Sequence, residues 1–309
     1  MFRKVQLHLA FIESMSLKYN DIARDSGSII ISACGFDSIP SELGMVFLQK
    51  WFDDDKCQLD GVEAFLTFPT MHPGYSGHAT TWDCAVMGFA NQAELGAIRK
   101  QLSLAKIPGR LARRSNLGLI TNVTGITGRA IPFVGSDASI VRRSQHRLMI
   151  EGRRDLQAAR FNMYTVVETT TGLVKLLIGG FIFVCLTKFE IGQNLLSRFA
   201  SFFSFGMFTR EGPSPASIAE TSFAITFKAY GQSAAGDGIT KTARVTGPEP
   251  GYDATSKIMA SCANVVLGER RQITDYVGVN GGVFTTADAL AKTSIYEKLA
   301  KRGIEYQKL

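Results

Sequence analysis

The feature that most constrains the fold is a short apolar run followed at once by a glycine-containing turn. Ser28 to Ala33 (SIIISA) is uncharged and rich in β-branched isoleucine. Such a run is typical of a strand buried on both faces, as in a parallel sheet. Cys34 to Pro40 (CGFDSIP) supplies turn residues, and Ser41 to Phe52 then has apolar residues at helical spacing. This order predicts one strand–turn–helix unit of a doubly wound α/β domain.

A helix precedes this unit, but a phosphate-binding glycine turn does not. Glu13 to Asp25 has an apolar stripe at helical spacing, and Gly27 is placed to end that helix. A dinucleotide domain opens with a strand that runs into Gly-x-Gly-x-x-Gly, which places phosphate at a helix N-terminus. The glycine-rich segments of this chain, near Gly125, Gly231 and Gly281, lack that setting. We therefore expect only the later part of such a domain.

The remainder of the chain mixes helices and strands in a way that predicts an α+β domain with a mixed or antiparallel sheet. The expected strands are Val62 to Phe68, Gly118 to Ile131, and an antiparallel pair formed by Ser222 to Tyr230 and Lys241 to Thr246. The expected helices are Thr80 to Leu104, Thr255 to Leu267 and Ala287 to Arg302.

Charge and cysteine usage exclude several classes of protein. The five cysteines are far apart, odd in number and without a Cys-x-x-Cys pair, which argues against a disulfide framework and for an intracellular, non-secreted protein. The four histidines have no metal-ligand spacing, so no metal site is expected. The net charge of +7 fits a solvated basic face or attraction to an anionic membrane. Nucleic acid binding is disfavoured because no stacking motif or recognition helix accompanies the charge. Lys and Arg are spread along the chain, with small clusters at Arg110, Arg113 and Arg114, at Arg142 and Arg143, and at Arg153 and Arg154.

One segment is apolar enough to interact with lipid. The uncharged stretch Leu176 to Leu186 would span about 16 Å as a helix, against about 30 Å for a bilayer core, so it is too short to cross. Five phenylalanines follow within Phe199 to Phe208, between Arg198 and Arg210. One interpretation is a buried core helix with a hydrophobic flap. The other, favoured by the charges at both ends, is insertion into one leaflet.

The strongest candidate site is the loop from Gly35 to Pro40. Gly35 permits close backbone approach, Asp37 or Ser38 can cap the following helix, and Pro40 suits its first turn. Amide groups there could face a ligand such as a nicotinamide or an anion. The alternative is a helix cap and turn with no ligand.

Two other polar groups are weaker candidates. The turn containing His72, Tyr75, Ser76 and His78 could supply a proton donor, although loop histidines are more often only solvated. The set Arg142, Arg143 and Gln145 could grip a carboxylate or phosphate, although a surface role is the simpler interpretation. No residue set in the sequence identifies catalytic residues or a mechanism.

Several short segments form a recognisable series in chain order. They are Ala33 to Pro40 (ACGFDSIP), Gly135 to Gln145 (GSDASIVRRSQ), Phe202 to Gly206 (FFSFG), Glu211 to Pro213 (EGP), Val245 to Tyr252 (VTGPEPGY), Gly281 to Thr285 (GGVFT) and Lys301 to Glu305 (KRGIE). In these segments the chain resembles saccharopine dehydrogenase-like oxidoreductases, a family that includes bacterial trans-acting enoyl reductases. Each match is short, but together they are specific and run from about Glu13 to the C-terminus.

The resemblance implies the fold class and domain plan. It implies an α/β protein made of the C-terminal remnant of a Rossmann-like dinucleotide domain plus an α+β domain with a mixed or antiparallel sheet. The expected divisions are residues 1–55 for the dinucleotide-binding remnant, 56–280 for the substrate- or membrane-associated domain, and 281–309 for a segment that returns toward the first domain.

The resemblance also implies NAD(P)-dependent reduction of an unidentified small or lipid-linked substrate, with glycolipid biosynthesis as one setting. It places Gly35, Phe36, Asp37, Ser38 and Pro40 near the cofactor. It suggests association with a membrane, lipid droplet or mitochondrion, through Leu176 to Leu186 and Phe199 to Phe208, and is compatible with a homo-oligomer. A non-catalytic lipid-associated protein that keeps the fold is the alternative.

The sequence departs from the family pattern in two places. Met1 to Ile12 does not resemble the expected opening of a dinucleotide domain, which suggests an N-terminally truncated isoform or gene model whose chain alone is inactive. Gly77-His78-Ala79 stands where the family pattern leads us to expect a Gly-Thr pair.

We predict that the 309-residue chain binds NADH and NADPH only weakly by itself. The pyrophosphate carries most of the cofactor's charge, and the sequence offers it no glycine turn backed by a helix N-terminus. Fluorescence titration of the purified chain with each cofactor measures this. Micromolar binding would contradict the prediction and would mean that another glycine segment holds phosphate.

Overall fold

A computed structural model describes residues 9–102, 106–109, 111, 123, 125–150 and 156–309. The strands of this part are β1 (Ile29–Ile31), β2 (Gln58–Thr67), β3 (Gly77–His78), β4 (Arg129–Pro132), β5 (Arg160–Val167), β6 (Phe208–Thr209), β7 (Ser222–Gln232), β8 (Gly238–Pro248), β9 (Gly282–Phe284) and β10 (Glu305–Lys308).

Helices surround these strands. The longer helices are α1 (Leu9–Asp25), α2 (Ile39–Asp54), α3 (Ala79–Ala90), α4 (Gln92–Leu102), α5 (Asp137–Ile150), α6 (Thr170–Leu186), α7 (Glu190–Arg198), α10 (Thr255–Gly268) and α11 (Arg270–Val277). The short helices are α8 (Ala200–Phe203), α9 (Pro215–Ala219), α12 (Thr286–Leu290) and α13 (Ile295–Ala300), and a π-helical turn covers Pro250–Ala254.

The centre of the fold is a mixed six-stranded sheet with the order β10-β8-β7-β2-β5-β4. β2 pairs parallel with β5, and the other neighbouring strands pair antiparallel. The predicted antiparallel pair is confirmed as β7 and β8, and the strand predicted at Val62 to Phe68 is confirmed as β2. β2 is buried over most of its length because it has neighbours on both sides in the sheet. The expected α/β fold with a mixed sheet is therefore present.

The predicted strand at Ser28 to Ala33 forms, but its surroundings differ from the prediction. β1 pairs parallel with β9, which comes from the C-terminal part of the chain, in a two-stranded sheet. Ile30 is 42% exposed, so the prediction of a strand buried on both faces is wrong. The physical reason is that β1 has one neighbouring strand among the described residues and only one covered face. The three-part domain plan stays a prediction.

Two predicted helices are each divided. The helix predicted from Thr80 to Leu104 is α3 followed by α4, because Asn91 ends α3 and its side-chain amide donates to the carbonyl of Met87. The helix predicted from Ala287 to Arg302 is α12 followed by α13. Helix α1 is confirmed, and Gly27 follows it with a positive φ of 68°. Of the strand predicted from Gly118 to Ile131, Arg129 to Ile131 lies in β4, and residues 118–122 and 124 lie outside the described residues.

One continuous hydrophobic core joins α2 to the large sheet and to α10 and α13. Helix α2 can approach β7 closely because position 44 is glycine: a Cβ there would lie 2.3 Å from the Phe227 ring. This packing directs the first turn of α2 toward the first turn of α5 and the turn after β8. These three chain segments build the candidate site.

We predict that Gly44→Ala destabilises the protein although alanine is the better helix former. Alanine improves helix propensity by about 1 kcal/mol, whereas overpacking a core costs about 1–3 kcal/mol. Urea denaturation should therefore show a lower free energy of unfolding. Gly96→Ala in α4 is the matched control, since nothing lies within 4 Å of that Cβ position. A gain in stability from both substitutions would contradict the close packing at Gly44.

Candidate functional site

The first half of the Gly35 to Pro40 loop is held by contacts with the protein itself. A Cβ at Gly35 would lie 3.2 Å from Cγ2 of Thr255, so a side chain here would crowd Thr255. The backbone N–H of Phe36 donates to Oγ1 of Thr255 at 3.0 Å. The Phe36 ring meets Phe223 edge to face, with 4.8 Å between centroids. These contacts attach the loop to the start of α10.

The second half of the loop enters α2. Ser38 occupies the N-cap position, as expected, but its side chain makes no capping hydrogen bond. Its hydroxyl instead lies 3.1 Å from the hydroxyl of Ser136, just before α5. Pro40 lies in the first turn, as expected, and its carbonyl accepts a hydrogen bond from Tyr306. The expected side-chain cap is therefore wrong, because the hydroxyl joins two helix N-termini.

Carboxyl groups collect behind this loop. Asp137 is buried, and its Oδ1 accepts a hydrogen bond of 2.6 Å from the Ser41 hydroxyl. Its Oδ2 has no hydrogen-bond partner among the described residues. Burial raises the pKa of Asp37 to about 6. Burial and the neighbouring Asp37 carboxyl raise the pKa of Asp137 well above its ordinary value. The pair therefore holds protons at a pH where most carboxyls are ionised.

Glu42 is a third buried carboxyl, one turn into α2. Its Oε2 accepts hydrogen bonds from the N–H groups of Thr286 and Ala287, at 3.0 and 3.1 Å, and from the Thr286 hydroxyl. Burial and the Asp288 carboxyl nevertheless raise the pKa of Glu42 to about 7. An acidic surrounding of this kind suits hydrogen-bond donors such as a carboxamide N–H, and it disfavours phosphate.

A second polar cluster surrounds Glu249, a buried residue that sequence analysis did not single out. Its carboxylate accepts hydrogen bonds from the N–H groups of Gly251, Tyr252 and Asp253, at 2.8, 2.6 and 3.1 Å. It also accepts a 2.6 Å bond from the Tyr75 hydroxyl. Burial and Glu249 raise the pKa of Tyr75, so its proton is held toward the carboxylate. A glutamate just before Pro-Gly-Tyr-Asp was the available signal, because carboxylates at this position cap helical turns.

The predicted polar turn does not form one catalytic set. The Nδ1 of His72 accepts from the N–H of Gly74, and its Nε2 lies 3.9 Å from Glu220. Ser76 is directed to Thr209 and to the carbonyl of Gly212. Ser76 and His78 therefore both lie beside Gly212, whereas His72 faces Glu220.

His78 has a different role from the other turn residues. It is the N-cap of α3, and its Nδ1 accepts from the N–H of Thr80 at 3.1 Å.

The three side chains of α5 that were predicted to bind an anion also do not form one site. Gln145 is buried, and its Oε1 accepts from Gln49 and from the N–H of Ala159. Arg143 donates to the Ser16 hydroxyl at 2.6 Å, whereas Arg142 is exposed. These three side chains do not converge on one point. The other two arginine clusters lie outside the described residues.

Helices α6 to α8, together with the segment after them as far as Met207, carry many exposed apolar side chains. We call this set of side chains the apolar surface. The alternative of a buried core helix is wrong for most of its residues. Phe181 is 72% exposed, Phe202 is 76% exposed and Ile191 is 85% exposed. The other large apolar side chains exposed here are Val174, Leu176, Leu177, Ile178, Ile182, Val184, Phe189, Leu195, Phe199, Phe205 and Met207.

Only a narrow side of these helices packs on the protein. Trp82 of α3 donates from its indole N–H to the carbonyl of Leu196 at 3.0 Å and contacts the Phe183 ring at 4.9 Å. Val86 completes this small cluster. Within the residues that the structure describes, no helix is both long and apolar enough to cross a bilayer.

Comparisons with known proteins identify the family. No protein-family model matches the chain. The human saccharopine dehydrogenase-like oxidoreductase is 36% identical over 303 residues, which cover 96% of this chain and 68% of that protein. A Caenorhabditis elegans protein named lipid droplet localized protein is 35% identical over 314 residues, which cover 96% of this chain and 71% of that protein.

A distant structural match was also found. Apo saccharopine dehydrogenase (L-Glu forming) from Saccharomyces cerevisiae aligns with a TM-score of 0.48 and 11% identity, over 95% of this chain and 77% of that one. The curated relatives are much closer. On their identity and coverage, the chain belongs to the saccharopine dehydrogenase-like oxidoreductase family.

We predict that Glu42 makes stability depend on pH. Its pKa is raised from an ordinary 4.5 to about 7, so its stabilising contribution is complete below pH 4.5 and is lost as pH rises through 7. The free energy of unfolding should fall by up to about 3 kcal/mol over that window. Urea denaturation across this range should show a flatter profile for Glu42→Gln. Glu297→Gln, on an exposed position, should keep the wild-type slope, and a wild-type slope in Glu42→Gln would show that Glu42 does not titrate there.

Proposed function

We propose that this chain supplies the substrate- and lipid-facing part of an NAD(P)-dependent oxidoreductase that works on a lipid surface. The observation that carries the proposal is the apolar surface of α6 to α8, in a chain that belongs to an oxidoreductase family. The substrate would be a lipid-borne molecule that reaches the protein from that surface.

The apolar surface has the composition expected for insertion into one leaflet or a lipid monolayer. Its large side chains are exposed on several sides of α6, and exposed cations border it at Lys175, Lys188, Arg198 and Arg210. Full transfer of one such side chain from water contributes about 1.5–3 kcal/mol, and the bordering cations are attracted to anionic headgroups. Insertion to the depth of a few side chains needs no membrane-crossing helix.

The loop from Gly35 to Pro40 is the proposed neighbour of the nicotinamide end of the cofactor. The carboxyl of Asp37, which is only half-buried, could accept a hydrogen bond from a carboxamide, whereas Asp137 is buried behind it. Bound NAD(P)H would supply the hydride of the reduction. Thr255 keeps the loop in place through Phe36. The pyrophosphate would be held away from these carboxyls.

A non-catalytic, lipid-associated protein is the second candidate. The observation in its favour is that Gly35 lies against Thr255 and the Phe36 ring packs on Phe223. Contacts within the protein therefore account for these two loop residues. The worm relative's name refers to lipid droplets and to no reaction. The two candidates differ in one measurement, because only the enzyme oxidises NADPH or NADH when a lipid-borne acceptor is supplied.

We predict that the apolar surface binds the chain to lipid. Leu177→Asp with Phe181→Asp places two charges on exposed positions of α6 and should abolish co-flotation with phospholipid vesicles containing phosphatidylserine and with phospholipid-coated triolein droplets. Because both side chains are exposed, at 47% and 72%, the fold should tolerate the change.

The matched control places the same charges elsewhere. Ile22→Asp with Leu267→Asp changes two exposed apolar residues of α1 and α10, at 61% and 83% exposure, and should float like the wild type. Circular dichroism confirms that each variant is folded. A folded Leu177→Asp, Phe181→Asp variant that floats as well as the wild type would exclude this surface as the anchor.

A further inference from the structure

A pair of polar side chains lies at the edge of the apolar surface. Gly212 passes between them: a Cβ at this position would lie 3.1 Å from Oη of Tyr252 and 3.4 Å from Cδ2 of His78. Gly212 also has a positive φ of 70°, which favours glycine. The tyrosine hydroxyl and the histidine ring therefore face one small region of the surface.

Both groups are hydrogen-bond donors that the described residues do not use. Nδ1 of His78 accepts from the N–H of Thr80, so Nε2 is the ring nitrogen that is left to donate. Burial and Glu249 raise the pKa of Tyr252, which keeps its hydroxyl protonated. In the described part of the chain, neither Nε2 of His78 nor Oη of Tyr252 has a hydrogen-bond partner.

The apolar surface continues directly to this pair. The N–H of Gly77 donates to the carbonyl of Met207 at 2.8 Å, and a Cβ at Gly77 would lie 2.9 Å from the Phe208 ring. Met207 is 63% exposed and Phe205 is 55% exposed. Phe205 in turn packs over Gly179 of α6. An extended hydrocarbon chain could therefore lie on Phe205 and Met207 with its polar end at His78.

We propose that His78 and Tyr252 form the polar end of a binding site for a lipid-borne carbonyl group. Two donors match the two lone pairs of one carbonyl oxygen. The Glu249 carboxylate, whose cap includes the N–H of Tyr252, disfavours a phosphate headgroup at the same place. A site of this kind defines the substrate class of the proposed oxidoreductase. It rests on that proposed function only for the route of the ligand, which is the lipid surface.

The test uses three probes that separate the carbonyl from the chain. Equilibrium dialysis of the wild-type protein should show binding of 2-undecanone, weaker binding of undecane, which lacks the carbonyl, and weak binding of acetone, which lacks the chain. Equal affinity for 2-undecanone and undecane would overturn the proposal. So would acetone binding as tight as that of 2-undecanone.

Two conservative variants test the donors. Tyr252→Phe removes the hydroxyl, and His78→Asn removes Nε2 while keeping a good helix cap for α3. Each should lower the affinity for 2-undecanone about fivefold to tenfold, as expected for one lost hydrogen bond, and leave undecane affinity unchanged. The double variant should bind both probes equally. Tyr19→Phe, an exposed tyrosine of α1, should behave as the wild type.

The remaining outcomes are decisive as well. Unchanged 2-undecanone affinity in the double variant would overturn the proposal, and so would an equal fall for both probes, since the residues would then act only through the fold. Vesicle flotation of the same variants distinguishes carbonyl binding at this site from binding of the chain to lipid. The site variants should float normally, whereas loss of docking in Leu177→Asp, Phe181→Asp should leave 2-undecanone binding in solution measurable.

Discussion

The buried carboxylate of Glu249 is the interaction on which both parts of the site depend. It accepts the three N–H groups that open the π-helical turn and the hydroxyl of Tyr75, a residue 174 positions earlier. The same turn ends at Thr255, whose hydroxyl donates to the carbonyl of Pro250 and accepts from the N–H of Phe36. One side chain therefore fixes the end of β8, the β2–β3 loop and the loop after β1 together. Its removal would leave the three N–H groups and the Tyr75 hydroxyl without their shared acceptor.

The parts of the fold that sequence patterns could predict are those set by local alternation and by helical spacing. The pair β7 and β8 was predictable because both strands flank a polar glycine loop, and α10 was predictable from its spacing. The exposure of Ile30 was not, because the number of layers that cover a strand is a tertiary property. The partner of Ser38 was equally hidden, since Ser136 lies 98 residues away in the chain. Local capping rules predict that the Ser38 hydroxyl accepts from a backbone N–H of its own helix. Its partner is instead the Ser136 hydroxyl at the N-terminus of α5.

The sequence left α6 undecided for a related reason. An apolar run without a one-sided stripe is compatible with a helix surrounded by protein and with a helix in lipid. The difference lies in what surrounds the helix. Here α3 offers one narrow face, through Trp82 and Val86, and this face covers Phe183 but leaves Phe181 in contact with solvent. The phenylalanines after Arg198 extend the same uncovered surface, so the apolar character belongs to a folded three-helix unit.

The two proposed binding regions differ in charge but share one structural element. Carboxyl acceptors lie behind the Gly35 to Pro40 loop, whereas neutral donors lie at His78 and Tyr252. Tyr252 and Thr255 are three residues apart, and one helical turn rises by only about 5 Å. The backbone of this turn therefore runs directly from the residue that carries the hydroxyl to the residue that holds the loop. Hydride transfer between the two proposed groups would need the reacting atoms to approach to about 3–3.5 Å. The Glu249 turn thus links the place proposed for the nicotinamide to the place proposed for a lipid carbonyl.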